Sequence, residues 1–493
     1  MQNGEGRMAN GELKMTNQKD SPHSQFAIRH SAFKVDRTSP PPPGEIRPFR
    51  FPPFLRTRLA NGLTVAAARL PGLPLISIEM VSPAGGQFDP EGQEGIAALS
   101  AAVLDEGTVR RSSMEIAAFA ERLGGYFTSG ADWDVGYLAT GLLADHLVSG
   151  LELLAEVAVS PTFPEAEIER LRRQRLAEIL RRAHDPSALA DDRFQREVYR
   201  GTVYAHPLLG DRESISRLDR DSLSAFYRRH YGLAGSALIA VGDFEPAALL
   251  REVERAFALA APLPAAPAPP EIRPAPLPGI SVHVVDRPGA AQTELRLGHP
   301  GVPRTHPDHV PLVVLNTLLG GKFTSRINMN LRERHGYTYG ASSRFAARMG
   351  PGPFLVSAAV ATQSAGAAAR EVLHELQRIR EALVEPEELD ETRSYIVGVF
   401  PYTVQTIGDL AKRLETLIVF GLPDDHYTRN LERIAGVSRE EILEVARRHL
   451  DPERIAVVAV GPAETLEPQL AGLGAVTVWG PQEELEPVQP GSM

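Results

Sequence analysis

From Phe49 onward the chain alternates between two kinds of apolar spacing. Short runs with period two read as strands: Leu75–Val81 (LISIEMV) is the clearest, and Thr57–Leu63 with Thr64–Ala68 reads as a hairpin turning at Asn61-Gly62. Tyr126–Leu143 supplies two more short strands and Ser236–Gly242 a buried one. Longer stretches with apolar residues three and four apart read as helices. These are Gly95–Thr108, Ser113–Leu123, Asp145–Ala158, Glu165–Ala183 and Ser214–Tyr231. Beyond residue 279 the alternation resumes, with strands over Gly279–Val285, Gln292–Gly298, Phe354–Val360 and Ile455–Val460. Helical spacing there covers Leu312–Leu319, Ala365–Leu383, Glu387–Val399, Thr406–Phe420 and Ser438–Leu450.

This resumption is a repeat. Arg228-Arg229-His230 and Arg447-Arg448-His449 stand 219 residues apart, and so do Val241-Gly242 and Val460-Gly461. A helix and strand recurring at one long offset imply two copies of one domain rather than a solenoid. The expected layout is a tail over 1–45, a first domain over 46–259, a Pro/Ala linker over 260–278, a second domain over 279–482 and a tail over 483–493. The fold class is α+β, each domain a mostly antiparallel sheet covered by helices.

Composition narrows the function. A net charge of −10 argues against a nucleic-acid partner, and no apolar run reaches the length of a membrane span. The chain has no cysteine, hence no thiol nucleophile and no cysteine-held metal. Residues 1–45 lack the apolar segment of a signal peptide and carry acidic residues, which leaves a cytoplasmic or periplasmic location open.

Gly95–Thr108 (GIAALSAAVLDEGT) resembles the active-site helix of the pitrilysin/insulinase/mitochondrial processing peptidase family of zinc peptidases. Gly95, Ala97, Gly107 and Thr108 match that frame, but the two histidines and the glutamate of the inverted His-x-x-Glu-His motif fall on Ala98, Ala102 and Ala101. Alanine has neither a lone pair for zinc nor a base for water. The family's third ligand position corresponds to Glu178, 76 residues beyond Ala102, which reads equally as a solvated partner of Arg175 or Arg182. His184 and His206 lie in Asp-Pro and His-Pro-Leu-Leu-Gly turns, and His306–His309 reads as a loop, so no metal is assigned to this chain.

A second signature survives. In Ser325–Phe345 (SRINMNLRERHGYTYGASSRF), Arg332, Glu333, Gly336, Tyr339, Ser342 and Ser343 match the family's second motif. The resemblance implies that Arg332 and Tyr339 reach a zinc site, hydrogen-bond substrate backbone and steady an oxyanion, and that the two halves of such a chain enclose the substrate. Some members are heterodimers in which one chain lacks zinc. The resemblance therefore implies a non-catalytic subunit, with zinc in a homologous partner chain and peptides or unfolded proteins as substrates. The alternative is a structural or peptide-binding homologue without a role in proteolysis.

Overall fold

The computed structural model describes residues 49–258, 260 and 263–480; the tails expected over 1–45 and 483–493 lie outside them. Two sheets of six strands each carry the chain. In the first half the strands are β1 (Leu55–Arg58), β2 (Thr64–Arg69), β3 (Leu75–Ser82), β4 (Tyr126–Ala131), β5 (Gly136–Leu143) and β6 (Ala237–Gly242). The second half supplies β7 (Ser281–Asp286), β8 (Gln292–Pro300), β9 (Thr338–Phe345), β10 (Pro353–Ala361), β11 (Ala456–Gly461) and β12 (Ala475–Trp479).

The repeat is visible in the strand order. The first sheet runs β1-β2-β6-β3-β5-β4 and the second β12-β7-β11-β8-β10-β9, so five strands of each superpose in order and direction. Only the sixth differs: β1 reaches β2 antiparallel through the Asn61-Gly62 turn, whereas β12 comes from the end of the chain and lies parallel to β7. Pairing is mostly antiparallel, the exceptions being β2 with β6 and β7 with β11 and β12.

Strands β6 and β11 are buried at every residue, because both faces of each sheet are covered. Along β6, Leu238 and Ala240 face the first half's own helices, while Ala237, Ile239 and Val241 meet Leu410, Leu414 and Leu417 of helix Ile407–Val419. Along β11, Val457 and Ala459 face inward, while Ala456, Val458 and Val460 meet Ala190, Phe194 and Val198 of helix Pro186–Val198. Each half thus lends a helix to the other half's sheet.

Helix Ile407–Val419 and helix Pro186–Val198 join the two halves at these faces. The Asp185-Pro186 pair, read above as a turn, starts a helix: Asp185 accepts hydrogen bonds from the Ser187 and Ala188 amides and Pro186 occupies the first turn. The stretch over Ser214–Tyr231 is likewise two helices, Arg212–Arg217 and Arg220–His230, each opened by an aspartate cap. Residues 263–280 form neither helix nor strand and are pinned at the buried Ile272. Among the described residues no helix is long and apolar enough to cross a membrane.

Candidate functional site

The alanine helix spans Ile96–Val103 and packs against helix Glu165–Arg182 and helix Arg220–His230. Its entry is fixed by two unusual features. Gly95 has φ +87°, and a Cβ there would lie 2.7 Å from the Gly210 amide nitrogen and the Leu209 carbonyl oxygen, so glycine is required on both counts. The Asp89 carboxylate, fully buried, accepts hydrogen bonds from the Gly95 amide (2.7 Å) and the Ala97 amide (3.0 Å), two of the donors a helix start leaves open. Burial pushes the Asp89 carboxyl up to about 8, against the pull of those two amides. At the exit Thr108 is locked to the buried Glu156 at 2.5 Å. The residues that match the family frame are therefore the ones that hold the helix in place.

The chemistry positions are closed. Ala98 is 5% exposed, Ala101 0%, and Ala102 is only partly accessible. Glu178 sits half-exposed on helix Glu165–Arg182, 3.9 Å from Arg175 and in the geometry of a helix ion pair; Arg182 instead holds Asp192 at 2.7 Å. Burial lowers the Arg175 guanidinium's pKa while Glu178 opposes it. One carboxylate tied to an arginine, with three alanines opposite, does not fit a zinc ion, which takes at least three protein donors.

Among the described residues, the one group of three side chains close enough to share a metal lies elsewhere: His306, Asp308 and His449. One donor atom of each is already used. Asp308 Oδ2 accepts from His449 Nε2 and from Arg448 Nη1, both at 2.6 Å, and His306 Nδ1 accepts the Asp308 amide at 3.1 Å. The group ties the end of helix Arg439–His449 to the start of helix His309–Asn316, with the Asp308 charge at one helix's N-terminus and the Arg448 charge at the other's C-terminus.

The second signature divides into an anchored part and a presented part. Ser343 is buried and bonds Asn316 Oδ1 at 2.8 Å, and the Ala341 amide donates to Asn328 Oδ1 at 3.0 Å. Arg332 belongs to a π-helical turn, Met329–Arg334, which Gly336 (φ +65°) reverses into β9. Its guanidinium lies 4.6 Å over the Phe323 ring and 3.3 Å from Glu333, with the side chain 38% exposed.

Tyr339 is 89% exposed and has no hydrogen-bond or ring partner among the described residues. It owes its position to a β-bulge: Thr338 pairs with Val360 and Ala341 with Ala358, so Tyr339 and Gly340 together oppose Ala359. Strand β9 is the edge of its sheet, leaving backbone groups on that side unpaired by any strand. Tyr337 is stacked on His335 and packs against the second core instead. Sequence reasoning missed the bulge, the π turn and the role of Asp89, none of which has a local pattern of its own.

Comparison with known proteins agrees with this frame. Residues 64–212 match the family model "Insulinase (Peptidase family M16)", and residues 217–396 match "Peptidase M16 inactive domain". A zinc protease of Rickettsia bellii, named as uncharacterized, is 23% identical over 83% of this chain and 98% of its own length. The non-peptidase homolog YmxG of Helicobacter pylori is 24% identical over 77% of this chain and 87% of its own. A solved peptidase M16 inactive domain from Pseudomonas fluorescens superposes with a TM-score of 0.76 at 26% identity, covering 83% of this chain and 98% of that one. With both of its halves matched, the chain belongs to peptidase family M16.

Proposed function

We propose that this chain is the zinc-less subunit of a heterodimeric M16 peptidase, lending Arg332 and Tyr339 to the site of a homologous chain that carries the zinc motif. The single observation that supports this most is the contrast between the two signatures. The donor positions are alanines closed into the core, whereas Tyr339 stands 89% exposed and unpartnered at a bulge on an edge strand. An exposed phenol without an internal partner is free to bond a group outside the chain. In this role Arg332 donates to carbonyls of the bound backbone through its planar fork, and Tyr339 donates its hydroxyl proton to a carbonyl oxygen that is becoming negative. Substrates are accordingly peptides or unfolded proteins, and zinc belongs to the companion.

The test is to isolate the native complex, separate its chains and measure zinc in each. A homologous companion holding about one zinc, with none in this chain, is expected; a complex without such a companion overturns the proposal. The second reading, a non-proteolytic homologue, draws support from the non-peptidase name of the Helicobacter pylori relative. It predicts stable companions that show no peptidase activity.

A further inference from the structure

A recess of about 200 Å³ opens at the seam, between Trp133 and His206 of the first half and Arg344 and Arg348 of the second. Its acidic residues are already engaged: Asp191 holds Arg296 at 2.6 Å and Asp192 holds Arg182 at 2.7 Å. That engages Arg182 as well, but the recess's other two arginines, Arg344 and Arg348, hold no carboxylate among the described residues. Arg344 is exposed and forms no ion pair among the described residues.

Arg348 is the anomaly. Its guanidinium lies 4.7 Å over both the Trp133 and Tyr204 rings, which stabilise the charge from above but leave the in-plane N–H groups to find acceptors. Nη2 reaches Gln195 Oε1 only at 3.5 Å, and Nη1 is buried with no hydrogen-bond partner. The nearby Asp134 is occupied by the Met349 amide at 3.0 Å and makes no ion pair with Arg348. Burial lowers the Arg348 pKa and the Arg344 charge adds to the fall, while Tyr199, Tyr204 and Asp134 oppose it. His206 Nδ1 bonds the Pro207 carbonyl, while Nε2 is buried and unpartnered, 3.6 Å from Asp89. Buried donors without acceptors are rare in native proteins.

We propose that this recess binds an oxyanion, a carboxylate or phosphate group, held in the plane of the Arg348 guanidinium and neutralised by Arg344. A guanidinium fork with free in-plane donors matches two oxygens of such a group. The recess is larger than the oxyanion alone, which leaves room for a body attached to it. The anion has two possible sources, a free small molecule or the C-terminal carboxylate of a peptide. The inference is independent of the subunit role proposed above.

The test is calorimetric titration of the full chain at constant ionic strength with inorganic phosphate, acetate, and one peptide in free-acid and amidated forms. Saturable binding of at least one of the oxyanion probes is expected, weakened at least tenfold in Arg348→Met and several-fold in Arg344→Gln. Phosphate or acetate binding assigns the site to free anions. Binding of the free-acid peptide but not its amide assigns it to a chain terminus. Because Arg348→Met removes a part-buried side chain, its fold is checked by circular dichroism, and the exposed Arg344→Gln decides if it fails. No saturable binding of any probe, or unchanged affinity in Arg344→Gln, overturns the proposal.

Discussion

Placing a glutamate at Ala101 tests how closed the alanine helix is. Ala101→Glu places a carboxylate where the parent side chain is 0% exposed, in a helix packed on two others. One turn further on, the Asp105 carboxyl is already pushed up to about 6, chiefly by burial, so the surroundings resist negative charge. A fully buried carboxyl is raised by roughly 3–5 pH units from its unfolded value of about 4.3. At pH 7 the unfolded chain then gains the ionisation that the folded chain is denied, which costs about 3 kcal/mol, and the added volume costs about 1–3 more. The total, about 4–6 kcal/mol, is a large part of the stability of an ordinary domain.

The sign is specific. A folded pKa above the unfolded one leaves stability intact below about pH 4.3 and removes it as pH rises. Ala101→Glu is therefore expected to lose only the packing share at pH 4.5 and the full amount at pH 7, by denaturant titration. Ala101→Gln, of like size and uncharged, is expected to lose the same at both. If Ala101→Glu stays within about 1 kcal/mol of the parent at pH 7, or matches Ala101→Gln at both pH values, the site is open and the reasoning fails.

Further predictions concern the seam. Leu414 is fully buried on the lent helix Ile407–Val419, so Leu414→Ala is expected to cost about 2–5 kcal/mol and to shift a single unfolding transition of the whole chain. Circular dichroism with the fluorescence of Trp133 and Trp479 checks this, and two separable transitions would show that the halves are independent. Glu79 is pushed up to about 7 by burial and by Glu415, with Lys412 opposing and Asp132 adding to the rise. Its folded value lies above the unfolded one, so the parent loses stability as pH rises from 5 to 8, and Glu79→Gln is expected to lose less over that range. Equal melting-temperature changes in the two proteins would remove Glu79 as the source.

The fold was legible because its signals are local or regularly repeated. Period-two runs such as Leu75–Val81 and the 219-residue offset required no knowledge of tertiary contacts. What joins the halves was not legible. Helix Pro186–Val198 hides behind an Asp-Pro pair that also makes turns, and the apolar face of Ile407–Val419 does not say which sheet it will cover.

The candidate site followed the same division. Ala98, Ala101 and Ala102 are placed by the glycines and threonine around them, and Glu178 has the ion-pair geometry with Arg175 that its helical spacing allows. The exposure of Tyr339 depends on a bulge set by pairing with β10. Arg348 draws its surroundings from segments more than a hundred residues apart, so nothing near it in sequence marks it.

The central claim is that Arg332 and Tyr339 work in another chain's site. The most direct measurement is the peptidase activity of the zinc-bearing companion alone, with this chain, and with its Arg332→Ala and Tyr339→Phe variants, after each complex is shown to assemble. The account predicts that the parent chain raises kcat/KM and that each variant loses at least tenfold of that gain while binding the companion normally. Full activity with either variant in an assembled complex would contradict it.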